Sequence, residues 1–215
     1  MNKITLYLFS ILVILGILWL AYGYLSVRNI EEPKYQTLHS SDPFEIRTYD
    51  PYITASVEVS GEYKKAANQG FRLIANYIFG NNQSQASIAM TAPVIQAPSQ
   101  RIAMTAPVVQ EKKDNQYVIS FIMPRHYTLD TLPHPKNSQV VLKKVPARKV
   151  AVIRFSGLFS QKRADDKKRE LIQWLKGQGM NHTNQAQYSR YNPPGTPPFM
   201  NRHEVWIDLN TDSRN

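Results

Sequence analysis

Among side chains that carry out chemistry, the sequence offers five histidines, no cysteine, and two carboxylates, Glu204 and Asp208, spaced for one face of a strand. Without cysteine there are no disulfides, thiolate nucleophiles or thiolate-held metals. No His-Glu-x-x-His, Gly-x-Ser-x-Gly or phosphate-loop pattern occurs, so the residues point away from zinc hydrolysis, serine-elbow hydrolysis and nucleotide hydrolysis. His39 sits in a polar lead-in and His182 in a polar loop, and His126 and His134 flank a short turn at Tyr127–Leu132. All four read as surface residues. His203 differs, because it opens a strand on the same alternating face as Val205, Ile207 and Leu209. The Glu204 and Asp208 pair reads as solvated. The expectation is a binding protein rather than an enzyme.

Residues of this kind need a frame, and the hydropathy pattern supplies one. Phe44–Asp50 alternates apolar and polar, Pro51 breaks the run, and Tyr52–Val59 alternates again, which predicts two strands joined by a tight turn. Ser60-Gly61 ends them. A helix follows over Lys64–Phe79, with Phe71, Ile74, Ala75 and Ile78 on one stripe and Gly80 as its stop. The same order returns in Val140–Val145, Pro146, Arg148–Phe155, Ser156-Gly157 and a helix over Gln161–Lys176 that stops at Gly177. Ala55 corresponds to Ala151, Ser60-Gly61 to Ser156-Gly157, and Tyr77 to Trp174, with one residue of drift across the unit. That regularity is an internal duplication of a strand–strand–helix unit. Further strands are expected at Tyr117–Met123, Gln185–Tyr191 and Glu204–Leu209. The fold class is therefore α+β, a pseudo-twofold pair of ββα units forming a curled eight-stranded antiparallel sheet with two helices. A literal repeat, Ile88–Val94 and Ile102–Val108 (Ile-Ala-Met-Thr-Ala-Pro-Val), reads as a hairpin at the sheet margin, because proline belongs at strand edges.

The N-terminus carries no charge from Ile4 to Val27, and as a helix this run would reach ~36 Å, enough to cross a ~30 Å hydrocarbon core. Trp19, Tyr22 and Tyr24 cluster at its far end, where amphipathic rings favour an interface. Residues 1–27 are expected to be a transmembrane anchor or a signal segment, 28–43 a linker, 44–209 the binding domain and 210–215 a tail. Both readings of the first segment place the domain outside the cytoplasm, on the periplasmic side of a membrane. The net charge is +10, but the basic residues are scattered and interleaved with acids, as in Lys162–Glu170. That pattern describes a solvated helix face rather than a nucleic-acid surface.

Several segments together resemble the SOUL heme-binding protein family. They are the Ile-Ala-Met-Thr-Ala-Pro-Val motif, Ser120–Pro124 with Tyr127–Pro133, Val150–Gly157, and Tyr191-Asn-Pro-Pro194 leading to Glu204-Val-Trp206. The resemblance covers nearly all of Tyr35–Leu209. It implies heme or a related tetrapyrrole bound in a shallow apolar groove against the first helix of the domain and the proline-rich loop before the last strand. Carried over by position, the groove residues are Asn68, Phe71, Arg72 and Ala75 from the helix and Tyr191, Pro193, Pro194, Phe199 and Met200 from the loop. Arg72 or Arg202 would pair with the propionates. The loop has Gly195-Thr196-Pro197-Pro198 where some members carry a basic residue. His203 is the candidate iron ligand, with a hydrogen-bonded strand-end histidine as the plainer reading. Two alternatives stay open. One is a binder of another flat molecule, like the effector-binding domains of multidrug-sensing regulators, with Glu204 as the buried acid. The other is a protein-interaction module.

Overall fold

The computed structural model describes residues 3–84, 99–113 and 116–210. The first copy of the literal repeat, Ile88–Val94, lies outside the described residues; the second, Ile102–Val108, is not the hairpin strand expected of it, since only Val108 belongs to a strand and Thr105 makes an isolated parallel bridge to Glu31. Helix α1 (Lys3–Leu25) is apolar along its length and its side chains are exposed. After it come β1 (Tyr35–Ser41), β2 (Phe44–Tyr49), β3 (Tyr52–Ser60), α2 (Tyr63–Ile78), β4 (Asn82–Gln83), β5 (Val108–Lys113) and β6 (Gln116–Ile122). The second half holds β7 (His134–Pro135), β8 (Val141–Val145), β9 (Arg148–Phe155), α3 (Gln161–Gly177), β10 (His182–Arg190) and β11 (His203–Leu209). A 3₁₀ turn, Pro198–Met200, precedes β11.

The main sheet is antiparallel and nine-stranded, in the order β1-β2-β9-β11-β10-β5-β6-β3-β8, and β4 pairs with β7 in a separate ribbon. If β1 is set aside, exchanging β2 with β8, β9 with β3, β11 with β6 and β10 with β5 reverses the order onto itself. This is the twofold that the duplication implies, with its axis between β5 and β10. Registers agree in detail: Ala55 faces Leu142 and Phe121, and Ala151 faces Ile46 and Ile207. Helix α2 packs on β3 and β6, and α3 packs on β9, β11 and β10. Gly61 and Gly157 both hold positive φ, 110° and 99°, where a side chain would strain the strand-to-helix turn.

Two expectations need correcting. The sheet has one strand more than eight, because the lead-in contributes β1, an exposed polar edge strand whose sequence, Tyr-Gln-Thr-Leu-His-Ser-Ser, has no buried face to alternate. The second concerns pairing. β2 and β3 are joined by Asp50-Pro51 alone, yet they lie toward opposite ends of the sheet and pair with β9 and β6 instead of each other. β8 and β9 are related in the same way. Such short connections are compatible with that order only if the sheet curls until its ends converge, and Tyr49 and Tyr52 meet there with ring centroids 6.5 Å apart.

Curling gives the sheet two buried faces. Ala55, Val57, Val59, Ile119 and Phe121 pack under α2 with Ile74, Tyr77 and Ile78. Ala151, Ile153, Val205 and Ile207 pack under α3 with Leu171 and Leu175. The concave face gathers Tyr49, Tyr52, Val109, Ile122, Val150, Val152, Tyr191 and Trp206. Tyr77 is fully buried and donates to the Pro133 carbonyl at 2.8 Å. Its counterpart Trp174 is half-buried and stacks on Phe44 with centroids 4.8 Å apart.

Candidate functional site

Alternation along β11 sends its side chains to two different environments. His203, Val205 and Ile207 face α3, whereas Glu204 and Trp206 face the concave interior. The interior therefore has a charge at its centre. Glu204 is buried, contrary to the solvated reading, because its partners are buried with it. Arg47 Nη1 and Nη2 donate to its two oxygens at 2.9 and 3.1 Å, Arg202 Nε at 2.9 Å, Tyr191 Oη at 2.7 Å and Trp206 Nε1 at 2.7 Å. Arg47 in turn donates to Glu45 at 2.8 Å, and Arg202 to Glu32 at 3.0 Å. Burial raises the Glu204 carboxyl, but the two guanidiniums outweigh it and hold the group at about 2. Burial and the Glu204 charge together push the Tyr191 phenol well up. A carboxylate has about four lone-pair sites, and these are taken. The Glu204 carboxylate is saturated with donors and has no lone pair left for a cationic guest.

The groove lies on the other side of the sheet, between the first turns of α2 and the loop that joins β10 to β11. It has a volume of about 520 Å³, within the range of small-molecule sites, and it is open along one side. Tyr63, Lys64, Ala67 and Asn68 line it from α2, Leu158 and Phe159 from the turn before α3, and Pro193, Pro194 and Gly195 from the loop. Arg190 and His203 complete it from β10 and β11. The loop is held at its base by Tyr191 N–H on the Arg202 carbonyl at 3.2 Å and by Arg202 N–H on Asn192 Oδ1 at 2.7 Å. Its far side is fixed by Gly157 N–H on the Pro198 carbonyl at 2.8 Å.

Phe159 stacks near Tyr63 at 6.2 Å between centroids and meets the His203 ring edge-on at 5.4 Å. The Arg190 guanidinium lies 5.1 Å over the Phe159 ring. Burial lowers the His203 pKa, the Gly157 carbonyl opposes this, and Arg190 and Arg163 lower it further, so the imidazole is neutral. His203 Nε2 lies 3.0 Å from the Gly157 carbonyl, which makes it the N–H of the ring. Nδ1 then carries the lone pair, and it is buried without a hydrogen-bond partner. Burial pushes the Tyr63 phenol up to about 12. Its hydroxyl donates to Gln110 at 2.5 Å, so it is a neutral wall rather than a proton source.

The groove thus brings together Asn68, Pro193, Pro194 and His203 of the residues expected from sequence. Phe71, Arg72 and Ala75 continue the same α2 stripe beyond it, at helical spacing from Lys64 and Asn68. Phe71 is 38% exposed and leans on Phe121 at 5.3 Å. Tyr191 and Arg202 turn into the interior network, with the guanidinium 3.7 Å over the phenol ring. Met200 packs toward α1, where a side chain on Gly23 would come within 3.0 Å of its sulfur, and Phe199 is exposed. The cations facing the groove are Lys64 and Arg190, which the sequence reading passed over. A basic residue one turn before Asn68 on the same stripe was the available signal for Lys64. Arg190 had none, because its place depends on how β10 meets the loop.

A flat tetrapyrrole needs aromatic walls, a cation for each carboxylate and, for iron, a neutral nitrogen. Tyr63 and Phe159 fit the first need and Lys64 and Arg190 the second; His203 lines the groove with a neutral ring whose Nδ1 is itself buried. Among the described residues no cluster of three or more metal-ligating side chains occurs.

The profile of the SOUL heme-binding protein family matches residues 30–208. The chain is 27% identical over 190 residues to heme-binding protein 2 of Homo sapiens, across 85% of this chain and 87% of that protein. Among solved structures it resembles the EcmrR C-terminal domain (TM-score 0.56, 12% identity, 82% of this chain and 98% of that one). It also resembles a protein from Listeria innocua described as a hydrolase (TM-score 0.52, 14% identity, 80% and 94%). At such identities these likenesses speak to the fold alone.

Proposed function

Because the chain belongs to the SOUL heme-binding protein family, we propose that it is a membrane-anchored binding protein for heme or a related tetrapyrrole, seated in the groove between α2 and the β10–β11 loop. The observation that carries this reading is the charge of the groove. Lys64 and Arg190 line it and, among the described residues, no carboxylate does, so an aromatic ligand with two carboxylates is matched on both counts. A ligand longer than the groove would extend along the α2 stripe to Phe71 and Arg72. Holding, rather than transforming, is the role these side chains suit. Ser160 Oγ caps α3 by accepting from Arg163 N–H at 3.3 Å, and the lone pair of His203 Nδ1 meets no hydroxyl among the described residues. Helix α1 is long and apolar enough to cross a bilayer, and in this reading it does so once, leaving the domain outside the cytoplasm. Digestion of the domain by protease added to intact spheroplasts is the expected result, and full protection would refute that side.

Titration of the detergent-solubilised chain with hemin, followed by the Soret band, tests the ligand. A shallow groove is expected to give micromolar affinity, about −8 kcal/mol. Lys64→Ala and Arg190→Ala are each expected to weaken binding about fivefold to tenfold, as for partly exposed charge-assisted contacts. Unchanged affinity in both variants would move the site elsewhere. The multidrug-sensor alternative loses its footing, since Glu204 already carries Arg47 and Arg202.

A further inference from the structure

Helix α1 does not stand apart from the groove. Trp19 Nε1 donates to the Gly195 carbonyl at 2.7 Å and Tyr22 Oη to the Pro194 carbonyl at 3.0 Å. A Cβ on Gly23 would meet Pro197 at 2.8 Å, so helix and loop touch backbone to ring. The loop that forms one wall of the groove is thereby fixed to the last two turns of the helix.

That contact sets a level. A 23-residue helix is about 35 Å long, against a hydrocarbon core of about 30 Å, and Trp19 lies about 9 Å along the axis from Leu25. Whatever bonds Trp19 therefore lies within the headgroup layer or just beneath it. Two large apolar side chains stand exposed beside that loop: Phe199, 66% exposed, in the loop itself, and Leu158, 70% exposed, on the turn bonded to Pro198. Among the described residues, neither is buried. Next to them are Lys162 and Arg163, the latter donating to the Leu158 carbonyl at 2.9 Å, together with the groove's Lys64 and Arg190. The two acids of the first turns of α3 are engaged: Asp165 accepts from Tyr188, and Asp166 pairs with Arg169.

We propose that the face carrying the groove mouth is seated on the bilayer, with Phe199 and Leu158 at the headgroup–acyl boundary and the surrounding cations on anionic headgroups. The proposal rests on α1 spanning the membrane. Apolar tips ringed by cations and continuous with a membrane helix are what an anionic lipid surface recognises. The groove then opens toward lipid, and an amphipathic ligand reaches it without crossing water.

The chain has no cysteine, so single reporters can be placed at will. Full-length protein is reconstituted in vesicles of phosphatidylcholine and phosphatidylglycerol, labelled in turn at Val13→Cys, Phe199→Cys and Lys176→Cys. The last sits at the far end of α3, about 22 Å along the helix from Gln161. Quenching is compared between lipid nitroxides, placed near the headgroup or deep in the chain, and aqueous iodide. The expected result is deep quenching at Val13, several-fold stronger headgroup-nitroxide quenching at Phe199 than at Lys176, and iodide access at Lys176 alone. If Val13 is deep while Phe199 behaves like Lys176, the seating is wrong and the anchor stands. If Val13 is open to iodide, the anchor fails and takes the proposal with it.

Discussion

An arginine as deeply buried as Arg47 loses several kcal/mol of hydration, and the structure offsets that loss with Glu204 on one edge of the guanidinium and Glu45 on the other. Removing one partner leaves the other charged and dry. Glu204→Gln is therefore expected to destabilise the domain by about 3–5 kcal/mol in urea unfolding, whereas Arg47→Met with Glu204→Leu is expected to recover only part of the loss, because Arg202, Tyr191 and Trp206 still lose their acceptor. The pH dependence has a definite sign. The folded carboxyl titrates near about 2 and the ordinary value is 4.5, so its contribution is complete above 4.5 and disappears as pH falls from there toward 2. Thermal melts across that window should show the loss, and the double variant should show a shallower acid limb. A flat profile in the unaltered protein would contradict the network. His203 makes a second residue-scale test. If its free Nδ1 meets iron, His203→Ala changes the ferric absorption spectrum of the hemin complex, and an unchanged spectrum assigns the ring to packing. The sequence made Glu204 visible as an acid on an apolar strand. Its burial was hidden because Arg47 lies 157 residues away and enters only when β2 pairs with β9.

At the scale of elements, what could be read was whatever repeats with a period. β3 and β9 alternate and are buried on both faces, and α2 and α3 carry apolar stripes, so their limits agree with expectation to within a residue or two. β1 was missed because an exposed edge strand buries nothing. β5 (Val-Val-Gln-Glu-Lys-Lys) was missed because only its first half is covered. The groove was legible as a helix beside a proline-rich loop, but which side chains enter it depended on the rotation of α2. That rotation is fixed at Gly70, where an added Cβ would lie 2.5 Å from Ile119 Cγ1. Gly70→Ala is expected to cost about 1–3 kcal/mol through displacement of α2 from β6. Gly177→Ala, with open space around it, should be neutral or slightly stabilising by comparison. Equal melting temperatures for the two variants would show that α2 is not clamped there. Ser160→Ala, which removes the cap of α3, should lower stability by about 1 kcal/mol.

For the whole molecule, the arrangement of the two halves has a history written into it. Each half lends its opening strand to the other: β2 lies against β9, and β8 against β3, with Asp50-Pro51 and Pro146-Ala147 as the crossing points. A single half could not have completed its own sheet. The gene for one half therefore would have encoded a chain that folded only in pairs, exchanging strands with a twin before fusion made the exchange intramolecular. The same geometry makes the modern domain separable. Fragments 28–138 and 139–210 should each be largely unstructured by circular dichroism. Mixed in equal amounts, they should regain the sheet signal and co-elute as one species. A fragment that folds alone would mean that the borrowed strand is dispensable and that the ancestor was self-sufficient.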